Sequence, residues 1–179
     1  MRSNISTFRS AIEALEGRQM FADINFAGTS GADTIYVTAT PTVVTVTLNG
    51  VATNYTAVRA ITINGGSGSD TIEVSNAITI GCTLAGNGGA DTILGGSGND
   101  LVTGGDGNDV LNGRAGSDTI YGNTGADTIY INNDNNTGDT AYANQPGVLT
   151  DGSYDLIYYS SNDNFYFDNQ EDDVIGTLD

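Results

Sequence analysis

Between Gly86 and Tyr130 one inward-type aliphatic residue recurs every nine positions, at Ile93, Val102, Leu111, Ile120 and Ile129, and the positions around it are mostly polar or glycine. Read in nines, the stretch is GNGGADTIL, GGSGNDLVT, GGDGNDVLN, GRAGSDTIY and GNTGADTIY, with glycine first and fourth, aspartate sixth and an aliphatic residue eighth. Positions 7 to 9 predict a three-residue strand whose middle side chain points inward. Glycine lets the backbone turn through φ > 0, and a small Ala or Asn at position 5 crowds it little, Asn also tolerating the left-handed region. The pattern therefore predicts tight turns alternating with short strands.

Elsewhere the pattern changes. Two isolated units, GTSGADTIY at Gly28–Tyr36 and GGSGSDTIE at Gly65–Glu73, bring Asp33 and Asp70 into the same sixth position. Between them TVVTVTLNGVATNYTAV alternates β-branched and polar residues around Asn49-Gly50, a strong hairpin signal, with Pro41 separating it from the strand before. Residues 1–22 differ from the rest: Phe8, Ile12, Leu15 and Met20 give a partly amphipathic helical spacing, and three of the five arginines lie there. They hold no apolar stretch of secretory or membrane-spanning length. The tail 131–179 leaves the nine-residue period and gathers aromatics. Its LIYYSS and NFYFDN predict two strands joined at Asn162-Asp163, a capping hairpin over the open end of the stack.

The sixth-position aspartate places a hard carboxylate oxygen beside the carbonyls of a tight turn. A hard cation taking several oxygen ligands suits that pocket, which makes calcium the expected occupant. These tandem nonapeptides resemble the RTX calcium-binding β-roll family. The resemblance implies an all-β fold, a parallel β-roll or β-solenoid with the hairpin near its N-terminal end and a divergent C-terminal cap. It also implies two nonapeptides per coil, so that turns alternate between two edges. Asp91, Asp109 and Asp127 would line one edge, Asp100 and Asp118 the other. Between Asp70 and Asp91 lie three residues more than an 18-residue coil requires, with a short Ser75-Asn76-Ala77 turn where another loop would stand, so Asp70 falls above Asp91 on the same edge. The expected metal ligands are Asp33, Asp70, Asp91, Asp100, Asp109, Asp118 and Asp127, with the turn glycines Gly89, Gly98, Gly107, Gly116 and Gly125, for several calcium ions.

Magnitudes explain why a metal is needed. One buried aliphatic side chain is worth about 1.5–3 kcal/mol, and ordering backbone costs about 1–2 kcal/mol for each of the residues in the unit. Metal binding absent from the unfolded chain counts as folding free energy. Calcium-triggered folding of residues 23–179 follows, with the tandem repeats at 86–130 and the cap at 131–179.

Charge narrows the function classes. The formal net charge is −17, with no histidine. Such a surface repels phosphate backbones and anionic lipid, so neither nucleic acid nor membrane insertion is expected. Cys82, the one cysteine, lies in the apolar strand ITIGCTL and reads as a buried small hydrophobe. Without histidine or a second thiol there is no nucleophilic triad or zinc site, and no enzyme is expected. ALEGRQMFAD resembles the sorting segment of planctomycete exported proteins, with Gly17 where proline is usual and Met20-Phe21 in place of leucines. It implies a secreted, cell-surface bacterial protein, the other reading of 1–22 being a helix capping the first coil. The preferred function is a calcium-folded structural protein whose subunits associate head to tail into a layer or fibre. The alternative is a monomeric module that adheres to a cell-surface polysaccharide through exposed calcium, since Arg59 and Arg114 alone make a poor basic stripe.

Overall fold

The computed structural model describes residues 21–131 and 140–142 in full, and the backbone of strands at 156–159, 164–166 and 173–177. The N-terminal segment expected to sort or cap, the Asn162-Asp163 turn and the aromatic side chains beyond Tyr142 lie outside the described residues. All described regular structure is β.

Strand β1 (Ala22–Ala27) opens one sheet and β2 (Thr34–Ala39) opens the other. The chain then doubles back through β3 (Val43–Leu48) and β4 (Val51–Thr56), both antiparallel to their neighbours, before β5 (Val58–Ser67) pairs in parallel with β1. From there it alternates between sheets through β6 (Thr71–Val74), β7 (Cys82–Gly88), β8 (Thr92–Leu94), β9 (Leu101–Asp106), β10 (Val110–Asn112), β11 (Thr119–Thr124) and β12 (Thr128–Tyr130). The alternation continues through β13 (Thr140–Tyr142), β14 (Leu156–Tyr159), β15 (Asn164–Tyr166) and β16 (Asp173–Thr177). A 7-stranded sheet runs β1-β5-β7-β9-β11-β13-β15, and a 9-stranded sheet runs β16-β14-β12-β10-β8-β6-β2-β3-β4. The architecture is a parallel β-solenoid with an antiparallel extension at its N-terminal end.

Short β-branched strands hold the stack because each contributes its middle side chain to a column between the sheets. Ile35, Ile72, Ile93, Leu111 and Ile129 stand rung above rung in one sheet, facing Ile63, Leu84, Val102 and Ile120 of the other, all fully buried. The inward residues expected from the nine-residue period are therefore the core. Five strands of the 7-stranded sheet, β1, β5, β7, β9 and β11, exceed three residues: β9 and β11 run on into the next turn, pairing Asn123 with Gly105. The doubling-back is the hairpin that Asn49-Gly50 signals. Both turn residues have positive φ, 49° and 83°, as a two-residue hairpin turn with the right twist requires. The hairpin extends the sheet past β2 and buries Val46.

The tail departs from the expected capping hairpin. β14 pairs in parallel with β12, and β15 pairs in parallel with β13 in the opposite sheet. Two strands joined by a polar turn can pair with each other or continue a coil. Here the previous coil leaves a free edge in each sheet, and each strand takes one. The rings of Tyr121 and Tyr142, in register on β11 and β13, stack with centroids 4.7 Å apart.

Candidate metal centre

Among the described residues seven aspartates are buried, each 1–3 % exposed, and they stand in two columns. On the edge leading from the 7-stranded to the 9-stranded sheet, the backbone N–H of Asp33 donates to Asp70 Oδ1 at 2.7 Å, that of Asp70 to Asp91 Oδ1 at 2.7 Å, that of Asp91 to Asp109 Oδ1 at 2.8 Å and that of Asp109 to Asp127 Oδ1 at 2.8 Å. On the opposite edge Cys82 N–H donates to Asp100 Oδ1 at 2.7 Å and Asp100 N–H to Asp118 Oδ1 at 2.8 Å. Each of these carboxylates except that of Asp33, the first on its edge, is thus anchored by the coil above it. The step from Asp70 to Asp91 is 21 residues against 18 for those that follow, and Ser75–Ala77 makes a turn closed by Ile78 N–H to Ser75 O at 2.9 Å.

The second carboxylate oxygen is the chemically open one. Oδ2 of Asp70, Asp91 and Asp109 is buried without a hydrogen-bond partner. Position 1 of the repeat is glycine because this oxygen lies against it: a Cβ on Gly86 would stand 2.2 Å from Asp91 Oδ2 and 2.7 Å from the Gly104 carbonyl. A desolvated anionic oxygen, stacked turn carbonyls beside it and no room for a side chain make a cradle of hard oxygens. Among the described residues no three Asp, Glu, Cys or His side chains cluster. The donor set therefore rests on one carboxylate per level plus backbone carbonyls, which suits calcium's liking for six to eight oxygens. The residues present fit the ion. A cleft of about 240 Å³ near the N-terminal end, lined by residues such as Thr40, Val44, Ala57 and Ile78, contains no acidic group and lies away from this chemistry.

Burial pushes the carboxyls of Asp70, Asp91 and Asp100 above the ordinary value; for the first two the aspartate one coil up adds to it, against the lowering by that coil's N–H. Asp109 rises from 3.8 to about 6, by burial first, with the charges of Asp91 and Asp106 adding to it. A carboxyl raised on folding contributes stability that is fully present below its unfolded pKa and lost as pH rises through its folded one. In chelator the roll is accordingly expected to gain β structure, read by far-ultraviolet circular dichroism, as pH falls through about 6 toward 4. With calcium present the same acidification weakens ion binding, because proton and ion compete for one oxygen. A signal in chelator that stays flat or falls across this window would remove the buried carboxylates as its control.

Asp33 and Asp100, the first aspartate of each column, differ from Asp70, Asp91 and Asp109. Asp33 Oδ2 accepts from Thr29 N–H at 2.5 Å and Thr29 Oγ1 at 2.9 Å, and its Oδ1 accepts from Asn49 Nδ2 at 2.6 Å. These donors, Thr29 N–H foremost and Asn49 next, hold its carboxyl below the usual range. Asp100 Oδ2 accepts from Gly96 N–H at 2.8 Å. Sequence reasoning also missed Arg114, which sits at position 2 with φ 67° and reaches Val74 O at 2.8 Å, Asn76 Oδ1 at 3.3 Å and Glu73 Oε1 at 2.7 Å. The only outward signal was an arginine where the repeat prefers glycine or asparagine. Cys82 takes the aspartate register above Asp100; burial, with the Asp100 charge next, pushes its thiol up to about 12.

Residues 62–75, 83–111 and 103–137 match the family described as RTX calcium-binding nonapeptide repeat (4 copies). No match to a curated protein or to a solved structure was found. Repeats of that family bind calcium ions, several per repeat domain.

Proposed function

We propose, on the premise that this chain is a calcium-binding β-roll of RTX nonapeptide repeats, that it is an extracellular structural protein which folds on calcium and whose copies associate. The observation that carries the calcium dependence is the row of buried, unpartnered Oδ2 atoms at Asp70, Asp91 and Asp109. Bound calcium supplies the positive charge that a desolvated carboxylate column needs. The chain supplies the rest: glycine turns that bring carbonyls to the carboxylate, and N–H donors that fix each Oδ1. Ion affinity in the weak range used by extracellular modules, about 10⁻⁴–10⁻³ M, would suit a protein that orders only outside the cell. Among the described residues no helix is long and apolar enough to cross a membrane. The N-terminal segment would direct export.

Support for association comes from the N-terminal end of the stack. β4 ends the 9-stranded sheet, and Val51, Ala52, Thr53 and Asn54 are exposed. An edge strand without proline or lysine is a template for another strand. Residues 34–58 carry no charged side chain in a chain of net charge −17, so the repulsion that separates copies elsewhere is weakest here. Both arginines among the described residues are engaged, Arg59 with Asp23 at 2.6 Å and Arg114 with Glu73, which leaves little cationic surface for an acidic polysaccharide. Light scattering behind size exclusion should show mass growing with protein concentration in calcium, and growth suppressed by Thr53→Lys. Strictly monomeric protein at high calcium and high concentration would overturn association and favour the polysaccharide-binding module.

A further inference from the structure

The first repeat unit on each edge obeys the nonapeptide in sequence and departs from it in backbone. Five loops, at 65–70, 86–91, 104–109, 113–118 and 122–127, turn through positive φ at both their second and fourth positions: Gly66 and Gly68, Asn87 and Gly89, Gly105 and Gly107, Arg114 and Gly116, Asn123 and Gly125. In the first loop of one edge neither Thr29 nor Gly31 enters that region, and in the first loop of the other neither Gly96 nor Gly98 does. These same two loops close on themselves, the N–H of the second residue donating to Oδ2 of the loop's own aspartate, Thr29 to Asp33 and Gly96 to Asp100. In Asp70, Asp91 and Asp109 that oxygen is buried without a partner.

What stands above each loop accounts for the difference. No coil lies above Asp33 in the described structure, and Asn49 from the hairpin supplies to its Oδ1 the hydrogen bond that the preceding aspartate's N–H supplies elsewhere. Above Asp100 lies the Ser75–Ile80 turn, which has no repeat motif: Ser97 N–H donates to Ile78 O at 2.8 Å, and Cys82 instead of an aspartate donates to Asp100 Oδ1 at 2.7 Å. The oxygens of Val74, Asn76 and Glu73 at that turn are gathered by the Arg114 guanidinium, a tethered cation sent up from the loop below.

We infer that the calcium ladder begins one level inside the repeat array on each edge: the carboxylates of Asp33 and Asp100 close metal-free terminal loops, Arg114 provides the positive charge at the second edge's terminus, and the five left-handed loops hold the ions. The inference rests on the calcium reading and narrows it. It removes Asp33 and Asp100 from the expected carboxylate ligands, and its cause is stacking context.

The test is calcium titration by calorimetry on the full chain and three variants, with ion counts from elemental analysis. Asp33→Asn and Asp100→Asn should bind as many ions as the parent with half-saturation within about twofold, while Asp109→Asn loses at least one ion. Loss of an ion in Asp100→Asn or Asp33→Asn would overturn the inference. Should a variant fail to fold, anomalous scattering from calcium in crystals of the parent chain decides: density is expected beside Oδ2 of Asp70, Asp91 and Asp109, and density at coordinating distance from Oδ2 of Asp33 or Asp100 overturns it. Ions in all loops would sink this assignment and leave the calcium reading standing; no ion in any loop would sink both.

Discussion

On transfer to chelator, the amides of β7 to β12 are expected to lose most of their protection from hydrogen exchange, while those of β2, β3 and β4 keep more of theirs. The carboxylate columns decide where the loss falls. Neighbouring coils stand about 4.8 Å apart, and two unit charges at that spacing repel by about 3 kcal/mol at an effective dielectric near 20. An unpartnered buried oxygen adds a desolvation cost of about 1–3 kcal/mol, more for a charged group. At Asp70, Asp91 and Asp109 both terms recur, and partial protonation relieves them only in acid. The three-stranded region of β2 to β4 is different: it carries no charged side chain, it buries Ile35, Val37 and Val46, and the one carboxylate at its base, Asp33, is already met by Thr29 and Asn49. Peptide-resolved exchange on the full chain, with and without calcium, reads the two regions separately. Protection lost evenly along the chain would mean that the N-terminal end depends on metal as much as the repeats do. Protection retained throughout would remove calcium from the folding reaction.

How far the sequence reveals this molecule depends on how local each determinant is. The core column was legible because one aliphatic residue per nonapeptide has one way to face inward, and Ile93, Val102, Leu111, Ile120 and Ile129 all do so. The hairpin was legible from Asn49-Gly50, since both residues had to accept positive φ. The place of Asp70 above Asp91 followed from counting residues around one coil. The state of Asp100 was hidden, because GGSGND matches the repeat as well as GGDGND does. What separates them is the stretch stacked above, Ile78 to Cys82 for the former and a regular glycine loop for the latter. Asp33 was hidden for the same reason: the amide that meets its Oδ1 belongs to a residue 16 positions away whose visible role was to make a turn. The direction of the tail strands was set by free edges on β12 and β13, which exist only once the stack is built.

The repeat's fourth glycine should be the least replaceable position in the stack, and Gly107→Ala measures that. Gly107 has φ +126°, a conformation L side chains rarely adopt, and a Cβ there would stand 2.1 Å from the Gly89 carbonyl oxygen of the coil above. Moving that carbonyl aside offers little relief: Gly89 is held by its own N–H to Asp106 O at 2.7 Å and has φ +119° in a loop of the same build. Strain at one level is therefore passed to the next instead of dissipating into solvent. A loss of about 3 kcal/mol or more is expected, in the range reserved for backbone strain and steric overlap in packed regions. If ion binding and folding are one reaction shared among about five ions, that loss raises the calcium midpoint of the β transition about threefold. Gly88→Ala is the matched control. It lies one residue before the equivalent glycine of the loop above, its φ is not positive, and a Cβ there meets nothing within 4 Å, so its midpoint should stay within about 0.5 kcal/mol of the parent. Equal midpoints for the two variants would show that the loop can relax around a side chain at its fourth position, and the close approach of coil to coil would then not be what fixes glycine in the repeat.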